Sequence, residues 1–419
     1  MNQNLVRLIA AAVAGLVAIA GIVYAIVGDS GSKAPAPTAA TKAPPNPTPP
    51  QPAQTRPTPP PQPATPPASA QPTPPPVVAL PATPPPAADT QPPTLPGPAN
   101  QWRMASTYPS QLPQYGTLGR KFVAKINRIG NGALQFTYEE PGNLISPTDC
   151  LAAVGQGKVR ACWSSPTHWY GKEPALNLFG GAPFGPGAAE YAAWLYYGGG
   201  RELLDEIYAR HGVKSIICGI VTPEAGGWFL KEIAKVEDLK DLRIRIGGLG
   251  SRVIAKLGAQ PQMLKGSEIA DAFRDNKLDA AEYSIPAIDF GLGMNKLAPF
   301  YYFPGWHQQT ALLEILVNRK SWETVPERDK ALIELACGDN FREGLAEGEA
   351  LQAQALRELE AKGAKIRRLP PDVLKALSAA WLDIAKEEAA SDPAFKRVWD
   401  AYSSFRTEYQ LWRSMGVIE

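Results

Sequence analysis

The sequence predicts an α/β protein of two lobes clasped by long carboxy-terminal helices, and a membrane-length helix and a proline-rich linker precede these lobes. All twelve Phe and ten Trp of the 419-residue chain lie beyond residue 100, so a core can form only there. Those 319 residues exceed the size near which single cores stop growing, roughly 250 to 300 residues. Strand and helix patterns alternate up to about residue 325, which is typical of mainly parallel sheets.

The amino terminus predicts a membrane anchor. Residues 8–27, LIAAAVAGLVAIAGIVYAIV, carry no charge and at about 1.5 Å per residue span the ~30 Å hydrocarbon core of a bilayer. We interpret them as a transmembrane helix or uncleaved signal anchor, because the apolar region of a signal peptide is shorter, about 7 to 15 residues. Arg7 makes residues 1–7 a cytoplasmic stub, which predicts a single pass with the amino terminus inside. A cleaved signal peptide is the alternative.

Residues 28–100 predict a disordered spacer. Between residues 28 and 98 lie 27 of the 44 prolines, with no apolar periodicity. Such segments favour solvated polyproline II and cannot bury enough surface to fold. The folded part is therefore expected at residues 101–419.

Charge argues against nucleic-acid binding. Residues 101–419 hold 38 basic and 38 acidic side chains, so the net charge of +2 belongs to the first hundred residues. A protein that follows a phosphate backbone needs a basic excess.

Four cysteines are too few for a disulfide framework. Cys150 and Cys162 are close enough in sequence to pair if a helix returns to a strand. Cys218 and Cys337 lie in apolar runs, and we interpret them as core thiols.

The elements of the folded part follow in order. The spacing of Leu118, Phe122 and Ile126 predicts a helix, and the alternation of Leu134, Phe136 and Tyr138 predicts a strand. Ser146-Pro147-Thr148-Asp149 has the pattern of a helix start. Further strands are predicted at ACWSS, SIICGIV, LRIRI and DAAEYS, and further helices at PGAAEYAAWLYY, GSRVIAKLG and SEIADAFRDNKL. Two long helical segments follow, the second from Pro371 through Trp412.

Arg245 is a candidate anion-binding residue. It ends a strand before a glycine turn and a helix amino terminus at Ser251, and such a turn offers a guanidinium and free backbone N–H groups to a carboxylate. A surface salt bridge is the alternative. Gly248-x-Gly250 is no dinucleotide fingerprint, because Val253 stands where a third glycine or alanine is needed.

Glu224 and Glu282 each follow a strand pattern, where α/β sheets present ligand groups. Two carboxylates in one crevice suit acid–base chemistry or a hard cation, and two unrelated surface glutamates are the alternative. No G-x-S-x-G or H-E-x-x-H motif occurs, and none of the three histidines has a His or Cys at metal-ligand spacing. Aromatic clusters around Trp169 and Trp306 predict either the walls of a crevice or core packing.

At these residues the sequence resembles a family, the solute-binding proteins of tripartite ATP-independent periplasmic (TRAP) transporters, and within it the branch that binds 2-oxo and hydroxy acids. The resemblance runs from about residue 101 to the end. It rests on six ordered stretches: YGKEPALNLFGGAPFG, WLYYGGGRELLDEIYARHG, GGWFLKEI, LKDLRIRIGGLG, LDAAEYSIPAIDFGL and YYFPGWHQ.

The resemblance implies a two-lobe periplasmic-binding-protein (Venus flytrap) fold and a receptor, not an enzyme, that closes on a small carboxylate with the help of a bound Ca²⁺ or Na⁺. Arg245 resembles the family's carboxylate-gripping arginine and Glu282 its metal-ligating glutamate. Tyr283 stands where a Trp is usual, and Glu224 and Gln308 fall where that branch has an amide and an acid. The expected site therefore comprises Arg245, Trp306, Gln308, Trp169 and Tyr283 for substrate, and Glu224 and Glu282 for metal.

A charge count adds a preference for the cation. Arg245, the two glutamates and a monocarboxylate sum to −2, which Ca²⁺ neutralises fully and Na⁺ by half.

The resemblance also implies partners and a location. TRAP permease subunits would receive the solute, and the long amphipathic carboxy-terminal helices would allow a homodimer, as in some relatives. The family is normally free in the periplasm, whereas this chain predicts a receptor tethered to the inner membrane, or one cleaved to a soluble periplasmic form. A tethered ligand-sensing or scaffold module is the alternative function, and an exported hydrolase that uses Glu224 and Glu282 is a third.

Overall fold

The computed structural model describes residues 100–416. The predicted stub (1–7), membrane helix (8–27) and residues 28–99 of the predicted linker lie outside the described residues. Within residues 100–416, no helix has both the length and the apolar composition needed to cross a membrane.

Two β-sheets organise the described residues, one in each lobe. The first has the order β2-β1-β3-β10-β4 and the second the order β11-β9-β5-β8-β6-β7. The strands are β1 (Gln101–Ser106), β2 (Gln135–Tyr138), β3 (Ala161–Ser164), β4 (Val213–Val221), β5 (Gly227–Phe229), β6 (Arg243–Arg245), β7 (Gln260–Gln262), β8 (Ala280–Ala281), β9 (Phe300–Phe303), β10 (Ala311–Asn318) and β11 (Lys365–Arg368).

The α-helices cover these sheets and connect the lobes. They are α1 (Thr117–Gly130), α2 (Cys150–Gly155), α3 (Ala188–Tyr197), α4 (Gly200–Ala209), α5 (Gly248–Lys256), α6 (Ile269–Arg274), α7 (Pro286–Leu292), α8 (Arg319–Glu323), α9 (Glu327–Ala361), α10 (Pro371–Ser391) and α11 (Pro393–Gly416). The predicted two-lobe α/β architecture is confirmed.

The sheets are mixed rather than mainly parallel, which corrects the expectation from the alternating pattern. Of the nine strand pairs in the described residues, four are antiparallel, and each of the four includes β5 or β10. Both strands arrive from the other lobe, β5 directly after β4 and β10 directly after β9. A strand that enters a sheet from the opposite end must run against its neighbours.

Strand β10 was missed by the sequence analysis because it has no alternation. All eight of its residues, ALLEILVN, are buried. A strand covered on both faces reads as a continuous apolar run, which periodicity alone cannot distinguish from a helix. Strands β1, β5, β7, β9 and β11 also went unrecognised.

The buried carboxyl of Glu314 ties β10 to its neighbours in the first sheet. Ser164 of β3 and Ser215 of β4 donate hydrogen bonds to it over 3.2 and 2.6 Å, and the Tyr208 hydroxyl donates a third over 2.5 Å. Burial raises the pKa of Glu314 to about 7, although the three hydroxyls partly offset this. Strand β10 is therefore held along both of its edges.

Three long helices hold the lobes together. Helix α9 packs on α1 and β4 of the first lobe and on α7 of the second. Helix α10 packs on α5 of the second lobe, and α11 returns to α3 and α4 of the first. The segment predicted as one helix from Pro371 is thus two, because Pro393 follows Asp392, whose carboxylate caps the N–H groups of Ala394 and Phe395.

Two disulfides cross-link the first lobe. Cys150 of α2 pairs with Cys162 of β3, as the sequence allowed. Cys218 of β4 pairs with Cys337 of α9, so the interpretation of these two as core thiols is wrong. The two are buried as expected, but only the packing of α9 on β4 brings residues 119 positions apart together.

Candidate functional site

A cavity of about 530 Å³ lies between the two sheets and is lined by both lobes. The first lobe contributes Tyr108 and Tyr115 among others, and the second contributes Arg245, Glu282 and the amino-terminal turn of α5. Two segments that cross between the lobes complete it: residues 222–226 carry Glu224, and residues 304–310 carry His307 and Gln308.

The two crossing segments touch each other at the cavity. The N–H of Glu224 donates to the carbonyl of Gln308 over 3.2 Å. A Cβ at Gly305 would lie 2.2 Å from the carbonyl oxygen of Glu224, so only glycine permits this approach. The acidic side chain of one crossing is thereby fixed against the histidine of the other.

Glu224, Glu282 and His307 form a buried cluster. Nε2 of His307 lies 3.0 Å from Oε2 of Glu224 and 3.4 Å from Oε1 of Glu282. The side chains are only 6 to 8% exposed, and one ligand atom from each fits within 4.8 Å of the others. Two carboxylates and an imidazole at these distances suit a metal ion.

The remaining oxygen of each carboxylate is held by another donor. Tyr115 and Ser284 donate their hydroxyls to Oε1 of Glu224 over 2.8 and 3.3 Å. Arg245 Nη1 donates to Oε2 of Glu282 over 3.2 Å. Hydrogen bonds of this kind fix the orientation of carboxylates that bind an ion.

The charges of the cluster shift its pKa values in opposite directions. Burial raises the pKa of Glu224, and the nearby charge of Glu282 adds to this. Burial also opposes ionisation of Glu282, but His307 and Arg245 more than offset it and lower the pKa of that carboxyl. For His307, burial alone would lower the pKa, but the charge of Glu282 and hydrogen bonds to both glutamates raise it to about 10.

Arg245 is fixed beside the cluster. Its Nη1 also donates to the Glu282 carbonyl over 2.6 Å, its Nε donates to the Leu264 carbonyl over 3.3 Å, and its guanidinium lies 5.4 Å from the Tyr283 ring centre. None of these contacts uses Nη2. The guanidinium therefore keeps donors for an anion in the cavity.

Other predicted site residues separate into two groups. Tyr283 and Gln308 line the cavity, and Gln308 Nε2 donates to the Tyr115 hydroxyl over 3.3 Å. Trp169 and Trp306 are not among the residues that line it, and these side chains, at 2% and 3% exposure, pack in the hydrophobic core. Their part in shaping the pocket stays a prediction.

His307 is the functional residue that sequence reasoning missed. The sequence analysis does not select it, because no His or Cys lies at metal-ligand spacing from it. The one available signal was its place beside Gln308 in a loop expected near ligand. Its partners Glu224 and Glu282 lie 83 and 25 positions away in the chain, so only the fold joins the three.

Comparison with known proteins identifies the fold family. Residues 104–392 match the family described as bacterial extracellular solute-binding protein, family 7. The chain belongs to this family. Its members are solute receptors rather than enzymes, and the predicted resemblance to TRAP solute-binding proteins is confirmed.

Three relatives are similar over most of their length. A monocarboxylate 2-oxoacid-binding periplasmic protein of Nostoc sp. is 36% identical over 300 residues, which cover 71% of this chain and 82% of the relative. A TRAP solute-binding protein of Bordetella bronchiseptica, a mixed-occupancy dimer with one active site that holds calcium and picolinate and one apo site, has a TM-score of 0.72 at 33% identity. The match covers 76% of this chain and 95% of that protein. A TRAP solute-binding protein of Pseudoalteromonas atlantica with bound sodium and pyruvate has a TM-score of 0.69 at 30% identity. The match covers 75% of this chain and 96% of that protein.

The contact between the crossing segments can be tested at Gly305. Gly305→Ala should reduce the free energy of unfolding by about 1 to 3 kcal/mol, because its Cβ would overlap the Glu224 backbone. Gly291→Ala in α7 is the matched control, since nothing lies within 4 Å of a Cβ there. Denaturant unfolding of both variants measures the effect, and equal stability of the two would contradict the described approach.

Proposed function

We propose that residues 101–419 are the receptor domain of a TRAP transporter that captures a small 2-oxo or 2-hydroxy monocarboxylate and delivers it to the permease subunits. The observation that carries the proposal is a single guanidinium, Arg245, beside two buried carboxylates in a cavity shared by both lobes. The names of the Nostoc and Pseudoalteromonas relatives, which refer to 2-oxoacids and pyruvate, support this ligand class.

In this proposal Arg245 binds the carboxylate of the ligand, and Glu224 and Glu282 bind a cation that also contacts it. Calcium in the Bordetella relative and sodium in the Pseudoalteromonas relative support a cation at such a site. Gln308 and Tyr283 shape the pocket. The ion would supply positive charge to the carboxylate and to the oxygen on the adjacent carbon, and Arg245 would fix the orientation.

The charge of the cavity favours monoanions. Among the described residues that line it, Arg245 is the sole Arg or Lys, and Glu224 and Glu282 are acidic. A second carboxylate on the ligand would find no further Arg or Lys, and His307 already contacts both glutamates. Desolvating an unpaired charge is costly. Dicarboxylates should therefore bind more weakly than monocarboxylates.

The role of Arg245 can be tested by titration with pyruvate. Arg245→Ala should weaken binding by about 1.5 to 3 kcal/mol, because it removes a charge-assisted contact. Arg243→Ala is the matched control, since Arg243 lies two residues away on β6 but pairs with Asp279 and does not line the cavity.

Calorimetry with the wild-type protein in Na⁺ or Ca²⁺ buffer gives the reference affinity. An unchanged dissociation constant in Arg245→Ala would refute this assignment. Absence of binding by any small 2-oxo or 2-hydroxy monocarboxylate would refute the proposed function.

We further propose that residues 8–27 tether the receptor to the inner membrane and that residues 28–100 are its spacer. The support is the uncharged 20-residue run and the density of proline after it. Tethering would keep the domain at high effective concentration beside a membrane partner. The full-length protein should remain in the membrane fraction after an alkaline wash, and a soluble product that lacks residues 1–27 would show cleavage instead.

The predicted homodimer through the carboxy-terminal helices is retained as part of the proposal. Near the end of α11, Leu411, Trp412 and Met415 are 62 to 79% exposed, which is a large apolar area for a free helix end. Sedimentation of the detergent-solubilised full-length protein should give a dimer, which Leu411→Glu should dissociate. A monomeric wild-type protein would contradict this assembly.

A further inference from the structure

The cluster at the crossing segments can offer an ion a third ligand, His307, besides its two carboxylates. Oε1 of Glu224 and Oε2 of Glu282 already accept hydrogen bonds from neighbours. The other oxygen of each glutamate lies 3.0 or 3.4 Å from Nε2 of His307. Three ligand atoms, one from each side chain, therefore lie within 4.8 Å of one another.

The distances fit one small metal ion. Transition-metal bonds to imidazole nitrogen and carboxylate oxygen are about 2.0 to 2.2 Å long. Two ligand atoms bound at that distance lie about 3.0 Å apart at a right angle and about 3.4 Å apart at the tetrahedral angle. The two measured separations, 3.0 and 3.4 Å, are in this range.

The orientation of His307 is consistent with a bond through Nε2. Nδ1 is buried and has no hydrogen-bond partner within residues 100–416, so Nε2 makes all the polar contacts of the ring described here. Nε2 faces two carboxylate oxygens, so a positive charge must lie among the three atoms. Either a proton on Nε2 or a metal ion that replaces this proton supplies that charge.

We propose that His307 is a third protein ligand and that the site therefore takes a divalent first-row transition metal, of the Mn²⁺ or Zn²⁺ class, in preference to Na⁺ or Ca²⁺. Calcium prefers six to eight oxygen ligands, whereas imidazole favours transition metals. With His307 neutral, a dication also balances Glu224, Glu282, Arg245 and a bound monocarboxylate to zero. The open positions of the ion would receive the ligand, so this inference deepens the proposed function at the same site.

The direct test is the nitrogen signature of bound Mn²⁺. Full-length protein in detergent is stripped of metal, loaded with Mn²⁺ and measured by pulsed electron paramagnetic resonance, which detects coupling to a ligating ¹⁴N. The wild-type protein should show this coupling. His307→Gln should lose it, and His211→Gln, which alters a histidine bonded to Glu173 outside the cavity, should keep it.

Affinities provide a second readout on the same preparations. Calorimetry should give Mn²⁺ and Zn²⁺ dissociation constants at least about tenfold below that of Ca²⁺ in the wild-type protein. His307→Gln should weaken Mn²⁺ binding by at least about tenfold, since losing even a supporting partner of a ligand costs ~10 to 100-fold. Its Ca²⁺ affinity should not fall, because glutamine offers an oxygen in place of the nitrogen. If His307→Gln does not fold, the ¹⁴N coupling of the wild-type protein decides alone.

The results separate this inference from the proposed function. Mn²⁺ bound without ¹⁴N coupling, or Ca²⁺ or Na⁺ bound more tightly than Mn²⁺, would overturn the role of His307. Pyruvate binding in Na⁺ or Ca²⁺ would then still support the receptor. Mn²⁺ bound with ¹⁴N coupling, but with no small monocarboxylate bound under any ion, would uphold the metal site and overturn the proposed ligand class.

Discussion

The contact between the two crossing segments is the constraint on which the site depends. Glu224 and His307 belong to different segments, and each segment runs from a strand of one sheet to a strand of the other. A backbone hydrogen bond from Glu224 to Gln308 and the bare Cα of Gly305 bring the segments together. Because the same backbone connects the lobes, the ligand groups lie at two of the places where the chain passes from one lobe to the other.

The surrounding structure keeps this junction in place from both sides. Helix α9 is anchored on the first lobe by Asn340, whose side chain donates to the carbonyls of Leu118 and Cys218. The disulfide between Cys218 and Cys337 fixes the same helix to β4, the strand that leads into the first crossing. Beyond the second crossing, Glu314 ties β10 to both neighbours. The strands on either side of the crossing segments are thus tied to their neighbours by covalent and hydrogen bonds.

Local charges, and not the net charge of the domain, are what the cavity offers to an anion, because residues 101–419 hold 38 basic and 38 acidic side chains. Two glutamates and a histidine are buried within hydrogen-bonding distance, and burial makes each uncompensated charge costly. The charge count from the sequence gave −2 for Arg245, the two glutamates and a bound monocarboxylate. That count assumed that Arg245 was the one positive side chain. His307 alters that count, because it can contact the carboxylates either as a protonated cation or as a neutral ligand of a bound metal ion.

The sequence alone determined the properties that depend on local pattern and composition. It predicted the α/β class, the two lobes, and helix α1 from the spacing of Leu118, Phe122 and Ile126. It also selected Arg245, Glu224 and Glu282, because each lies where a strand pattern ends. Periodicity and strand position are local properties. Only the tertiary structure decided what meets across long separations: the Cys218–Cys337 bond, the antiparallel entry of β5 and β10, and His307 between two glutamates. It also placed the side chains of Trp169 and Trp306 in the hydrophobic core, which the sequence could not decide because an aromatic residue in a loop has the same sequence pattern whether its ring faces ligand or core.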